Sequence, residues 1–444
     1  MDGKSSLEPL RFLAGLLAVA LVSAAFAVLF RASLAFVLGY AVGEGDVVSA
    51  MRGMPAWMRL LLPPAGALLA GVLAALAARV PSGHGVGSVM EAVVLGRVQL
   101  SMRVTLLKSL GSWCAIATGG SIGREGPLIQ FGGAAGSFVS ERLGLSLERT
   151  RILIAAGTAA GFAAAYNTPF AAILFVLEVV TGIVVLDTIV PAFLATVLAT
   201  AITRALLGEG PIYGARAFTV QSSVELVAHA GVGVLGALAA QGFMRLLALG
   251  EALFARSKVP LPWRPALGGL VTGAIVAALP DVAGNGYEPL NDVLDARLSA
   301  GFVTILLIAK CVATTSSVSS GSPGGVFTPT LLLGGGVGFL YGSALGYLFG
   351  PQVGPVGSYA LVGMAATTAA TTHAPLMAAV MAFELSGDYG VVLPLMLATA
   401  IATTLSRAMR KDSIYTAELR GRGVGWELTL EGRRMIESRS REMP

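Results

Sequence analysis

Two blocks of residues occur twice in this chain, in the same order and at nearly constant offset. Gly123-Arg124-Glu125-Gly126-Pro127 is echoed by Gly325-Val326-Phe327-Thr328-Pro329, and each copy is followed after four residues by paired glycines, Gly132-Gly133 and Gly334-Gly335. A lysine precedes each copy at equal distance, Lys108 in one and Lys310 in the other. Asn167-Thr168-Pro169 then leads nine residues later to Glu178, and His373-Ala374-Pro375 leads nine residues later to Glu384. The pattern predicts two related halves, a first repeat over residues 1–210 and a second over 222–410, with a short tail at 411–444. Gly208-Glu209-Gly210-Pro211 and the polar run to Ser223 read as the connection between them, and Glu288 to Arg297 as another polar loop.

The solvent of these halves follows from charge. Only 12% of the 444 residues are charged, against about 25% in soluble domains, and the mean hydropathy is +0.78. Apolar runs such as Leu13 to Phe30, Leu60 to Ala78 and Val391 to Thr404 suit membrane helices. Several runs fall short of the roughly 20 residues that cross the hydrocarbon, or are broken by Gly and Pro. Broken backbone at membrane depth is tolerated where it lines a cavity. An all-α, multi-pass membrane protein is therefore expected. Leu13 to Phe30 has no clear small-residue cleavage pattern before Arg31, so it reads as a membrane helix and not a secretory signal. Basic residues cluster from Arg407 to Arg441, which puts the tail in the cytoplasm by the positive-inside rule. The net charge of +5 thus speaks of topology, and no nucleic-acid partner is implied. Cys114 and Cys311 read as small apolar residues, with no disulfide framework or thiolate metal site.

The first repeated block carries the chemistry. Glycines let backbone approach a ligand closely, and proline suits the first turn of a helix. A helix starting at such a break directs free N–H groups and the positive end of its dipole into the cavity, which makes an anion site without a full charge. Pseudo-symmetry would bring two such starts to one anion, and binding by partial charges is weak enough to permit release. Gly123, Arg124 and Gly126 surround the first start, with Arg124 expected to anchor the loop through backbone carbonyls more than to touch the anion. Glu125 is the exception among these groups. Beside an anion it meets like-charge repulsion and desolvation, which favour its protonated form. Ionised, it occupies the anion's place; protonated, it can swing away. It reads as a gate and proton acceptor, against the alternative of a structural pair with Arg124. Ser82-Gly83-His84-Gly85-Val86-Gly87 is a third Gly-rich break, where Gly85 offers a backbone donor and His84 is either a pH-sensitive anion ligand or a plain loop histidine. Tyr415 follows the last apolar run and reads as a hydroxyl donor at a pore mouth or as an interfacial aromatic.

These motifs, in this order, resemble the CLC family of chloride channels and chloride/proton exchangers over nearly the whole length. The resemblance rests on the Gly123 to Pro127 and Gly324 to Pro329 signatures, on Asn167-Thr168-Pro169 with Glu178, and on Tyr415. It implies an inverted repeat of tilted helices, a homodimer with one pore per subunit, and Glu125 as the external gating glutamate. It further implies anion contacts from the backbone N–H groups of Val326 and Phe327 and from the Tyr415 hydroxyl. Two departures stand out. His84 occupies the place of the family's serine in Gly-Ser-Gly-Ile-Pro, which bears on anion preference. Val179 occupies the place of the exchangers' internal proton-accepting acid, and Glu178 is one position away, turned by about 100° on a helix.

The expected function is transport of chloride-like anions, passive or weakly coupled to protons and gated by Glu125. The alternative is an obligatory chloride/proton antiporter, and a fluoride-handling relative is a lesser one. A cation-coupled solute carrier would want carbonyl and carboxylate ligands for a cation. An intramembrane hydrolase would want a nucleophile, base or metal cluster, and the chain has only three histidines, His84, His229 and His373. No enzyme activity, cofactor or metal is expected; the partners are a small anion, protons, the bilayer and a second copy of the chain.

Overall fold

The computed structural model describes residues 7–80, 85–96, 99–183, 186–208, 210, 212–214, 216–218, 223–350, 353–421, 424–429 and 432–437. The first series of helices is α1 (Glu8–Val42), α2 (Val47–Gly53), α3 (Ala56–Ala77), α4 (Val86–Leu95), α5 (Met102–Ala117), α6 (Glu125–Leu143), α7 (Leu147–Tyr166), α8 (Pro169–Leu174) and α9 (Leu186–Leu207). A π-helical segment, Phe175–Thr181, prolongs α8. The second series is α10 (Ser223–Arg256), α11 (Arg264–Ala278), α12 (Tyr287–Leu294), α13 (Ala300–Ser319), α14 (Phe327–Phe349), α15 (Val356–Thr372), α16 (Pro375–Ser386) and α17 (Val392–Met409). Helices α3 to α9 find their counterparts in α11 to α17, in the same order, and both series begin with a helix of more than thirty residues, 35 in α1 and 34 in α10. After α17 come α18 (Ile414–Gly421) and a hairpin of β1 (Val424–Thr429) with β2 (Gly432–Glu437), antiparallel, which adds a small sheet to the otherwise helical chain. Among the described residues, seven helical spans are long and apolar enough to cross a membrane.

The repeated motifs have local physical causes. Ser101 and Ser299 cap α5 and α13, accepting from Val104 N at 3.4 Å and Phe302 N at 3.3 Å. Asn167 and His373 close α7 and α15 in the left-handed region, at φ 58° and 59°. The next residue but one is the proline that opens α8 or α16, where its missing N–H costs nothing. Each Asn/His-x-Pro motif is therefore a stop and a restart. The paired glycines have a different cause, which is close helix crossing. A Cβ on Gly132 would run into the Gly157 carbonyl of α7, and one on Gly334 into the Gly363 carbonyl of α15.

Each half also caps the other. Glu178 Oε1 and Oε2 accept from Leu376 N (3.2 Å) and Met377 N (2.7 Å) at the start of α16. Glu384 Oε1 and Oε2 accept from Phe170 N (3.0 Å) and Ala171 N (2.8 Å) at the start of α8. Both helices begin with proline and use a carboxylate from the opposite repeat in place of a local cap. Replacing either glutamate by alanine is expected to cost about 1–2 kcal/mol, read as a lower melting temperature of the purified protein. Glu178→Ala melting with the wild type would show that the cap is idle.

Two sequence expectations change. Glu288 to Arg297 is not simply a polar loop, because most of it lies in α12, whose Tyr287, Leu290, Val293 and Leu294 are buried. Charged residues at both ends hide this short apolar stripe from a hydropathy reading. The connection between the halves is not wholly outside the packing either. Tyr213 is buried with its ring 5.2 Å from that of Tyr287, and Phe218 N donates to Asp388 Oδ2 at 2.6 Å. Cys114 and Cys311 are free and half-buried.

Candidate functional site

The two signature loops meet as an antiparallel bridge. Gly123 N donates to Gly325 O at 2.7 Å, and Gly325 N donates to Gly123 O at 2.9 Å. This pairing sets the start of α6 against the start of α14. Glu125 is the first residue of α6, only 2% exposed. Its carboxylate turns onto α14, where Oε1 accepts from Phe327 N at 2.9 Å and Thr328 N at 3.2 Å. Oε2 accepts from the Thr328 hydroxyl at 3.0 Å. The protein's own carboxylate thus sits on free N–H groups at a helix start, where an anion is favoured. Bare backbone on both sides makes this possible, since a Cβ on Gly123 or Gly325 would strike the carboxylate.

Thr328 passes the contact onward. Its hydroxyl proton is engaged by Glu125, so its oxygen accepts from the Tyr166 hydroxyl, 3.0 Å away. Tyr166 and Thr328 are both buried. Neither stood out as a site residue in the sequence, although Thr328 lies inside the repeated block and Tyr166 directly precedes Asn167. Aromatic rings continue the row. Phe327 meets Phe162 edge-on at 5.8 Å, Phe162 meets Phe175 at 4.8 Å, and Phe175 meets Tyr415 edge-on at 6.0 Å.

Two cavities flank the Arg124-Glu125 loop. One, of about 430 Å³, is bounded by Glu125, Gly126, Val326 and Phe327 and reaches Gly85, Lys108, Tyr415 and Glu418. The other, of about 240 Å³, is bounded by Arg31, Arg124, Asp46, Asn285 and Glu288. Adjacent residues therefore face different spaces, Glu125 the larger and Arg124 the smaller. Arg124 does not anchor its loop to carbonyls as expected. Its guanidinium lies over the Tyr287 ring, Cζ 4.6 Å from the centroid, a cation–π contact that leaves its charge facing the cavity.

Gly85 stands at the start of α4 with φ 86° and lines the larger cavity, while His84 lies outside the described residues. Val326 is the residue before α14 and lines the same cavity. Tyr415 is half-buried on α18. Val179 is 1% exposed within the π-helical segment, and Glu178 beside it is committed to the cap on α16. The two lysines at equal spacing differ in use. Lys108 lines the cavity, whereas Lys310 is buried and donates from Nζ to the carbonyls of Val282 (2.9 Å) and Gly284 (2.8 Å), tying down the approach to α12.

Doubled sets of broken helices, with two helix starts facing each other inside the bundle, define an integral membrane transporter of the repeat type. A family model described as voltage gated chloride channel matches residues 66–407. The chain belongs to this family, the CLC chloride channels and transporters. A putative chloride channel protein, ClcB-like, from Ralstonia nicotianae is 40% identical over 381 residues, covering 85% of this chain and 89% of the relative. The voltage-gated ClC-type chloride channel ClcB of Citrobacter koseri is 34% identical over 380 residues, covering 84% and 89%. Two solved structures share the fold. A slow cyanobacterial Cl⁻/H⁺ antiporter aligns with TM-score 0.83 at 24% identity over 93% of this chain and 98% of its own. A CLC-type fluoride/proton antiporter aligns with TM-score 0.76 at 22% identity over 93% and 97%.

Proposed function

We propose that the protein carries chloride-like anions across the membrane, passively or with weak coupling to protons, and that Glu125 is its gate. The observation that carries this reading is the Glu125 carboxylate seated on the N–H groups of Phe327 and Thr328. A group of the same charge as the substrate holds the substrate's place, so conduction requires that it leave. Protonation removes the charge that holds it, and flux then rises as the medium is acidified. Gly126, Val326, Phe327 and the Tyr415 hydroxyl are the anion's donors along the larger cavity, whereas Gly123, expected among them, has its N–H engaged by the Gly325 carbonyl; Arg124 raises the anion's concentration from the smaller cavity.

The second reading, an obligatory chloride/proton antiporter, is favoured by the fold's likeness to structures described as antiporters, one of them for fluoride. Against it stand Val179, which cannot relay a proton, and Glu178, already engaged at α16. The same family membership supports a homodimer. The basic residues around α17 and beyond support a cytoplasmic tail.

Chloride efflux from proteoliposomes, with voltage set by a potassium ionophore and external pH recorded together, separates the two. The expected result is chloride efflux without stoichiometric proton movement. Uphill proton movement driven by the chloride gradient would replace the first reading with the second.

A further inference from the structure

Arg124 has acids around it and pairs with none of them. It shares the smaller cavity with Asp46 and Glu288 and adjoins Glu125 in the chain. Among the described residues it forms no ion pair, and its buried Nε donates no hydrogen bond. Asp46 caps α2 instead, accepting from Ser49 N at 2.8 Å, and Glu125 is engaged by α14. What holds Arg124 is the Tyr287 ring, whose centroid lies 4.6 Å from Cζ. A ring face attracts a cation through its quadrupole and brings no negative charge to cancel it. An acid in the same place would hold the guanidinium and neutralise it at once.

Tyr287 is itself fixed. It is the first residue of α12 and is buried, with its ring against that of Tyr213 at 5.2 Å and 67°. The turn before it is tied down from several sides. Arg52 pairs with Asp281, and Lys310 Nζ donates to the carbonyls of Val282 and Gly284. Gly286, at φ 96°, lets the backbone close on α14, since a Cβ there would lie 3.1 Å from Leu332 Cδ2. The ring is thereby registered on the helix that receives the Glu125 carboxylate.

We propose that Tyr287 is a positioning residue for anion capture, its ring holding Arg124 at the smaller cavity as an uncancelled positive charge. The inference rests on the functional reading above, in which Arg124 concentrates the anion, and adds the residue that makes this possible. Without the ring, Glu288 and Asp46 on the cavity wall become partners for the guanidinium, and Arg31 on the same wall repels it toward them. An ion pair formed there would remove most of its pull on an anion. Clefts lined by one sign of charge raise the local concentration of counter-ions by about tenfold or more. Loss of the ring therefore weakens chloride capture and leaves the step at Glu125 as it is.

The test is the chloride dependence of uptake into proteoliposomes holding the full chain, for wild type, Y287F, Y287L, Y287M, R124Q and R124Q/Y287L. Y287L should raise the half-saturating chloride concentration about threefold to tenfold at unchanged maximal rate, and R124Q should do the same. The double variant should match R124Q, because Y287L acts through the arginine alone. Y287F keeps the ring and should keep the wild-type dependence. Added gluconate salt should narrow the gap between wild type and Y287L, since screening weakens the charge that separates them. Y287M fills the space with an unbranched chain and reads the same effect should Y287L not fold. If Y287L and Y287M keep the wild-type half-saturation, or lose only maximal rate, while R124Q shifts it, Tyr287 is a packing residue. The inference is then overturned with the functional reading intact. A shift in Y287F as large as in Y287L would also overturn it, by placing the effect on the hydroxyl. No chloride uptake by the wild type would overturn the functional reading and the inference together.

Discussion

Glu125→Gln is expected to yield a protein whose chloride efflux no longer responds to pH. The wild-type carboxylate is held by two backbone N–H groups and one hydroxyl of α14. Charge-assisted hydrogen bonds of this kind contribute roughly 1.5–3 kcal/mol each, while neutral ones contribute about 1 kcal/mol. Glutamine has the same shape, but it carries no charge and presents an NH₂ group where one oxygen accepted. The seated state should weaken by about 3 kcal/mol, roughly a hundredfold in occupancy. Efflux then becomes constant and near the rate of the acidified wild type. Stopped-flow efflux at neutral and acid external pH checks this, and a wild-type pH response surviving in Glu125→Gln would remove Glu125 from the gate.

Gly325→Ala should act on the same carboxylate from the other side. The bridge from Gly325 to Gly123 holds the backbone in place, so the new methyl cannot retreat. Its carbon would lie 2.7 Å from Glu125 Cδ and 3.1 Å from Cγ, closer than two carbons approach without displacement. Overpacking of this order costs about 1–3 kcal/mol, and swinging the side chain out of its seat is the available relief. The variant should therefore conduct like Glu125→Gln although Glu125 itself is intact. A double-mutant cycle isolates the cause. With Glu125→Ala in the background the collision partner is gone, and Gly325→Ala should change efflux little. An equal effect of Gly325→Ala in both backgrounds would mean that it acts by distorting the loop bridge.

Much of this site was legible before any coordinates, because its parts are local. The Gly-Arg-Glu-Gly-Pro and Gly-Val-Phe-Thr-Pro blocks are helix starts, and Asn167-Thr168-Pro169 is a stop and restart whose φ 58° at Asn167 follows from residue type. Such features depend on a few neighbouring residues. Arg124 was misread because its choice between carbonyl and ring depends on Tyr287, a residue in the other half. Glu178 was legible as the neighbour of a missing proton acceptor, but its commitment to Met377 N, 199 positions away, was not.

The division between sequence and structure follows contact range. By itself the sequence determined the membrane setting, the doubled architecture, the positions of the helix breaks and the family, since hydropathy, capping and proline act over one or two turns. Only the tertiary structure decided what each break faces: that Glu125 sits on α14 across 203 positions of chain, that the two repeats cap each other's helices, and that α18 folds back over α4. Those choices follow from how glycine-lined helices pack in three dimensions, where the identity of a neighbour owes nothing to its distance along the chain.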